Sequence, residues 1–409
     1  MTGLRTLLPL LAAFACCSAD AAPRAAASRP AREPEILAKI MRHPLIFFVA
    51  KGEPNACGPH CSEWIAAEGN IDTDAAKRFR EFLDQPARRN LPVFFNSLGG
   101  STNQAAIIGR LLRQYRMTAG VARTIPQGCR AALSMDDACR RIAQSTSEHK
   151  ARLVTSGARC ASGCVYAILG ASVRQVNKAA ELGIHSARYL WVSHGPPKSA
   201  PPSIDVAHER LRNYAVEMGT DPSLVDAAAK VSADRIHWMT RAEIDRFGIE
   251  TRGFYETRWT PLQETSVTYS IAKSWTQPGE GGGDFRTGVI RLRCSVTASK
   301  YLLTYRNELP LFQSGERMRI GLESGGDTLQ LRPGMMAETG SGMFFITVDR
   351  ETMQKVAAGS RLSVTEIQGW AVSRTFELST AGLSDALGQL QKRCDKREET
   401  GTAAVAPTR

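Results

Sequence analysis

Leu45–Ala50 (LIFFVA) is an unbroken apolar run of strand length and predicts a buried strand. Glu63–Ile71 predicts a second strand. Asp72 or Thr73 then caps a helix with Ala76, Phe79, Phe82 and Leu83 on one face. Leu91–Ser97 (LPVFFNS) is again strand-like and ends in Leu98-Gly99-Gly100-Ser101. The helix that follows repeats apolar residues at Ile108, Leu111, Leu112 and Tyr115, and Met117–Arg123 is a short strand. Residues 124–150 interrupt this rhythm as a polar insertion. Ala151–Ser156 resumes it, followed by a small-residue turn, an apolar helix from about Cys164 to Leu169, and a strand from Glu181 to His185. Tyr189–Ser203 is a Pro/Gly-rich loop. Three helices follow: one capped by Ser203, one opened by Asp221-Pro222, and one with the Thr240/Glu243 capping box that stops at Gly248.

The texture changes from about Ser266. Val289–Val296, Tyr301–Tyr305, Met343–Val348 and Ser373–Leu378 alternate apolar and polar positions with the period of strands, and a last helix lines up Leu383, Leu387, Leu390 and Cys394. The pattern predicts an α/β domain over 45–258 and a small β-rich domain over 266–395 closed by a helix. Residues 396–409 are expected to be a tail without structure.

The chain has 409 residues, 43% of them hydrophobic and 22% charged, the make-up of a globular protein. Its formal net charge of +12 suits an anionic envelope surface as a partner. The charges are dispersed and show no aromatic-plus-basic module, so nucleic acid is not expected. Arg5, the apolar stretch Leu7–Cys17 and Ala19-Asp20-Ala21 form an export signal over 1–21, with an Ala/Pro/Arg-rich linker over 22–44. A periplasmic or secreted protein follows. Eight cysteines lie beyond the signal, an even number in an exported chain. Sequence proximity pairs Cys57 with Cys61, Cys129 with Cys139 and Cys160 with Cys164. Cys294 and Cys394 both point into the core of the β domain and form the fourth pair. A zinc site on Cys57, His60 and Cys61 lacks a second Cys-x-x-Cys pair, and no metal or other cofactor is expected.

Candidate chemistry gathers in Cys160-Ala161-Ser162-Gly163-Cys164, with His185 following 23 residues after the serine and the Gly99-Gly100 turn upstream. Serine as nucleophile, histidine as base and glycine-rich turns offering N–H groups are the components of acyl transfer. Both turns join a strand to a helix, where a side chain stands exposed beside free N–H groups. Lys178, between a helix and a strand, raises a Ser–Lys alternative and reads better as solvated. A disulfide between Cys160 and Cys164 would clamp the serine turn.

Four segments in order give the region from 45 to 250 its likeness. FFNSLGGS, CASGCVYAILGA, ELGIHS and HWMTRAEIDRFGI together resemble exported ClpP-like proteins of the ClpP/crotonase superfamily, with Leu98 where that family's turn carries proline. The resemblance implies a ClpP/crotonase-like spiral of strand–strand–helix units. It also implies Ser162 as nucleophile, His185 as base, and the N–H groups of Gly100 and Gly163 as oxyanion hole. The family's aspartate aligns with Ile236; Asp234 is the nearest carboxylate and the favoured third member, with Asp221 and Asp226 as rivals. An exported serine hydrolase of peptidase type, acting on peptide or protein, is the leading expectation, and homo-oligomers occur among ClpP relatives. A crotonase-like acyl-thioester enzyme and a non-catalytic envelope scaffold with a recognising β domain are the alternatives.

Overall fold

The computed structural model describes residues 43–145, 148–186, 204–265, 268–279, 284–295, 300–308, 318–324, 326–333, 341–368 and 371–403. The expected export signal, most of the linker and the 189–203 loop lie outside them. Strands β1 (Ile46–Lys51) and β2 (Glu63–Glu68) form an antiparallel hairpin, Ile46 opposite Glu68. Its loop carries the Cys57–Cys61 disulfide. Helix α1 (Ala75–Phe82) crosses to β3 (Val93–Asn96), which lies parallel to β2. Helix α2 (Thr102–Gln114) crosses to β4 (Thr118–Val121), parallel to β3. The order strand, strand, helix, strand, helix, strand is the one the apolar pattern predicts.

The 124–150 stretch is more structured than a polar insertion. Strand β5 (Arg123–Pro126) pairs antiparallel with β6 (Glu148–Val154), and β6 lies parallel against β1. Helix α3 (Asp137–Ser145) fills the connection and is tied by Cys129–Cys139. The backbone of β6 therefore extends the sheet, although its exposed positions look like loop in the sequence.

A second, three-stranded sheet carries the serine and the histidine. It contains β7 (Arg159–Ala161), which runs into helix α4 (Gly163–Leu169). After β8 (Val173–Gln175), the far edge of the first sheet, it continues with β9 (Glu181–Ile184). Helices α5 (Ile204–Glu217) and α6 (Ser223–Ala229) intervene before β10 (His237–Trp238), and α7 (Arg241–Arg246) follows. A bridge between Ser97 and Cys160 joins the two sheets. Helices α2 and α4 touch backbone to backbone: a Cβ on Gly170 would stand 2.0 Å from the Gly109 carbonyl oxygen. Tyr214 of α5 closes over Gly109, and its hydroxyl donates to Tyr166 O at 2.8 Å.

The second domain is a ten-stranded antiparallel sheet system. Strands β11 (Tyr255–Glu256) and β12 (Thr260–Gln263) both pair with β13 (Tyr269–Pro278), so the sheet reaches back ahead of residue 266. It continues through β14 (Phe285–Cys294), β15 (Lys300–Glu308), β16 (Met318–Ser324), β17 (Asp327–Pro333) and β18 (Ser341–Asp349). Helix α8 (Arg350–Ala358), β19 (Arg361–Gln368) and β20 (Ala371–Ser379) complete it. Trp275, Tyr305 and Phe344 form its aromatic centre, with ring centroids 5.5 and 6.3 Å apart. The closing helix α9 spans Leu383–Ala403, where an unstructured tail is expected from 396. Lys, Arg and Glu propagate a helix well once an apolar face has anchored it. Cys294–Cys394 pins this helix to β14. Among the described residues no helix is long and apolar enough to cross a membrane.

Candidate active site

Strand β7 delivers Ser162 at its C-terminal end. Ala161 pairs with Gly183 of β9, and the Ser162 N–H donates to Gly183 O at 2.8 Å. His185 follows β9 directly, so serine and histidine leave the same edge of two hydrogen-bonded parallel strands. Both are half-buried.

Ser162 sits at φ +53°, ψ −123°. A non-glycine residue at positive φ is uncommon and costs about 1–3 kcal/mol, which the surrounding structure must hold in place. Here the brace is the Cys160–Cys164 disulfide spanning the serine, with both cysteines fully buried. Serine at a helix N-terminus ordinarily accepts a hydrogen bond from the first turn. Ser162 makes no such capping bond, so its hydroxyl is not spent on α4.

The Gly99-Gly100 turn packs against this elbow. A Cβ on Gly99 would lie 2.7 Å from both Ser162 Cβ and Gly163 N, and one on Gly163 would lie 3.0 Å from Gly100 O. The turn is held by Ser97 Oγ, which accepts from Gly99 N at 3.1 Å, and by Ile71, which accepts from Ser101 N and donates to Gly99 O. Gly99 at φ +97° and Gly100 at φ +132° occupy backbone that side chains avoid. Among the described residues, no acceptor takes the N–H of Gly100 or of Gly163.

The expected third member, Asp234, lies in the segment that runs beside the end of β9, where Ser186 N donates to Val231 O at 2.9 Å. Asp234 is exposed in the turn before β10 and accepts from Ser232 Oγ. At the aligned position, the Ile236 side chain packs on Gly183, where a Cβ would meet its Cγ2 at 2.4 Å. Of the rivals, Asp221 accepts from Ser223 N at 2.8 Å, ahead of a helix whose cap position is Pro222, and Asp226 pairs with Arg212. Lys178 is exposed in the turn between β8 and β9. Cys57 and Cys61 are joined to each other, which removes their thiolates from any zinc site. All four expected disulfides are present, as in a protein of an oxidising compartment.

Behind the elbow lies a network that motif reading does not single out. Asn96 donates through Nδ2 to Glu68 Oε2 at 2.9 Å and accepts at Oδ1 from Arg159 N at 3.1 Å, fixing β3 to β7. Glu68 also accepts from Thr124 N at 2.6 Å. Burial pushes its carboxyl up to about 8, against the pull of those hydrogen bonds and of the Arg123 and Arg140 charges. Arg159 pairs with Glu181 at 2.9 Å and lies over the Trp238 ring, tying β7, β9 and β10 together. The signal available in the sequence is Glu68 itself, a carboxylate at the end of an apolar strand.

No family model and no curated protein matches the chain. Among solved structures it is similar to a mutant of the 1510-N membrane-bound stomatin-specific protease, 16% identical over 45% of this chain and 75% of that one, with a TM-score of 0.29. It is also similar to a ClpP1 mutant from Listeria monocytogenes, 16% identical over 45% and 86%, TM-score 0.28. Invasion associated protein b from Bartonella henselae is 13% identical over 34% and 94%, TM-score 0.24. At such scores the likeness assigns neither activity nor site residues to this chain.

Proposed function

We propose that the protein is an exported serine hydrolase of peptidase type, with Ser162 as nucleophile and His185 as general base. The observation that carries the reading is the Ser162 elbow: a strained, uncapped serine packed against an adjacent glycine turn. Strain of this kind persists where a side chain must be held out toward a substrate.

In the reaction, Ser162 Oγ attacks a peptide carbonyl carbon and passes its proton to His185. The oxyanion that forms is held by the Gly100 and Gly163 N–H groups. Collapse breaks the C–N bond as His185 returns the proton to the leaving amine. Water then cleaves the acyl ester by the same route and restores Ser162. Asp234 is assigned as the carboxylate that orients the base.

A fluorophosphonate probe on the mature protein tests the reading. Labelling of the parent, lost in both Ser162→Ala and His185→Ala, is expected. An unlabelled parent with a native circular-dichroism spectrum would sink it in favour of a non-catalytic scaffold.

A further inference from the structure

Between the two domains lies a cleft of about 790 Å³. Its walls are α2 and α5 and its floor is one face of β14 and β15. Five arginines line it, Arg110, Arg210, Arg291, Arg293 and Arg306, against two carboxylates, Glu217 and Glu264. Arg110 is paired with Glu217 at 2.6 Å, and Arg291 and Arg293 both engage Glu264. Arg210 and Arg306 form no ion pair with a described residue. The cleft thus holds positive charge that its own carboxylates leave unneutralised.

We infer that this cleft binds an acidic segment of polypeptide. Guanidinium groups form forked, two-bond contacts with carboxylates, and in a recessed site these are less screened than on an open surface. Between the arginines lie Ala106, Ile107, Val289 and Met343, which suit the apolar side chains that alternate with acidic ones in a peptide. The one aromatic lining residue, Tyr214, is buried with its hydroxyl bonded to Tyr166 O, so the cleft offers no face for stacking a nucleic-acid base. Its recessed shape also fits a single chain better than a lipid surface.

The position of the cleft gives the inference its meaning. Thr102 and Asn103 line one end, immediately after the Gly99-Gly100 turn, and Arg110 lies eight residues further along α2. That stretch of helix is about 12 Å long, enough for three or four residues of extended peptide. A chain held there lies along α2, the helix that opens at the Gly99-Gly100 turn, and so would be delivered toward Ser162. This last point rests on the hydrolase reading; the binding itself does not.

The test is therefore made on Ser162→Ala protein, so that hydrolysis plays no part. Fluorescence anisotropy would follow a fluorescein-labelled decapeptide of alternating Glu and Ala, its Gln/Ala counterpart, and phosphatidylglycerol vesicles. We expect the acidic peptide to bind, to weaken with added salt, and to weaken at least tenfold in Arg210→Ala/Arg306→Ala. The remote surface variant Arg80→Ala is expected to bind like the parent. Absent binding, equal binding of the Gln peptide, or undiminished binding in the double variant would overturn the inference. So would a preference for vesicles that the same two substitutions abolish. Failure of fluorophosphonate labelling would leave a positive peptide result standing.

Discussion

Gly99 and Ser162 share a space that admits only one Cβ: a side chain on Gly99 would begin 2.7 Å from Ser162 Cβ and 2.4 Å from the Ala161 carbonyl oxygen. The obstructing atoms are backbone and a braced elbow, neither of which yields cheaply. Gly99→Ala is therefore expected to lower stability by about 2–4 kcal/mol through strain and overpacking. It should also slow fluorophosphonate labelling at least tenfold, because relief comes by moving Ser162. Chemical denaturation and labelling kinetics check the two effects. An alanine variant that labels like the parent would show that the turn does not set the serine.

Glu68 makes stability depend on pH in an unusual direction. Its folded value of about 8 lies above the ordinary 4.5, so between those values the folded chain holds a proton that the unfolded chain has released. By linkage the contribution of Glu68 to stability falls as pH rises through that window and is flat beyond it. The slope approaches about 1.4 kcal/mol per pH unit in mid-window. Subtracting the pH profile of Glu68→Gln from that of the parent should expose this fall, whatever the absolute stability of the variant. Two parallel profiles would contradict it.

Arg113 couples the domains. From α2 it donates to Gly170 O at 2.7 Å and to Leu169, Ala171 and Met218 carbonyls, while its other branch reaches Thr287 Oγ1 at 2.6 Å and Glu308 at 2.8 Å. Removing the cation from such a part-buried cluster of hydrogen bonds costs about 1–3 kcal/mol. Arg113→Met should split thermal unfolding into two calorimetric transitions, one per domain. A single, merely shifted transition would mean that other contacts hold the domains together.

The Cys294–Cys394 bond spans 100 residues of sequence. In the chain-entropy picture a loop of that length contributes about 4–5 kcal/mol. Cys294→Ser/Cys394→Ser should lower the urea midpoint followed by the emission of Trp275, which is fully buried in the same core. Tryptic mapping without reductant should recover the two cysteines in one linked peptide from the parent. Either thiol found free would remove the prediction.

Much of this was legible because local pattern and tertiary role coincide. LIFFVA, VFFN and ELGI are buried strands because each carries a short apolar run, and the two small-residue turns stand out because only glycine permits their approach. The first half of strand β6, Glu148–Lys150, was hidden by its polar residues, and α8 and β16 by the lack of a strong apolar run. The arginine cleft is written only half locally. The alternation of Val289, Arg291 and Arg293 with Ile290, Leu292 and Cys294 marks a two-faced strand, but nothing nearby says that its polar face meets helices some 80 to 190 residues earlier. Ile236 shows the opposite limit: the alignment puts an isoleucine where the resemblance calls for a carboxylate, and the sequence alone does not choose among the nearby aspartates.

That two-faced strand also proofreads assembly. Ile290 and Leu292 are fully buried on one side of β14, while Arg291 and Arg293 line the cleft on the other. A one-residue misalignment against β13 or β15 would drive two guanidinium groups into the Trp275 core and push the aliphatic residues into the cleft. The same arginines that mark the cleft as a ligand site therefore act earlier, during folding, as a penalty on every wrong alignment.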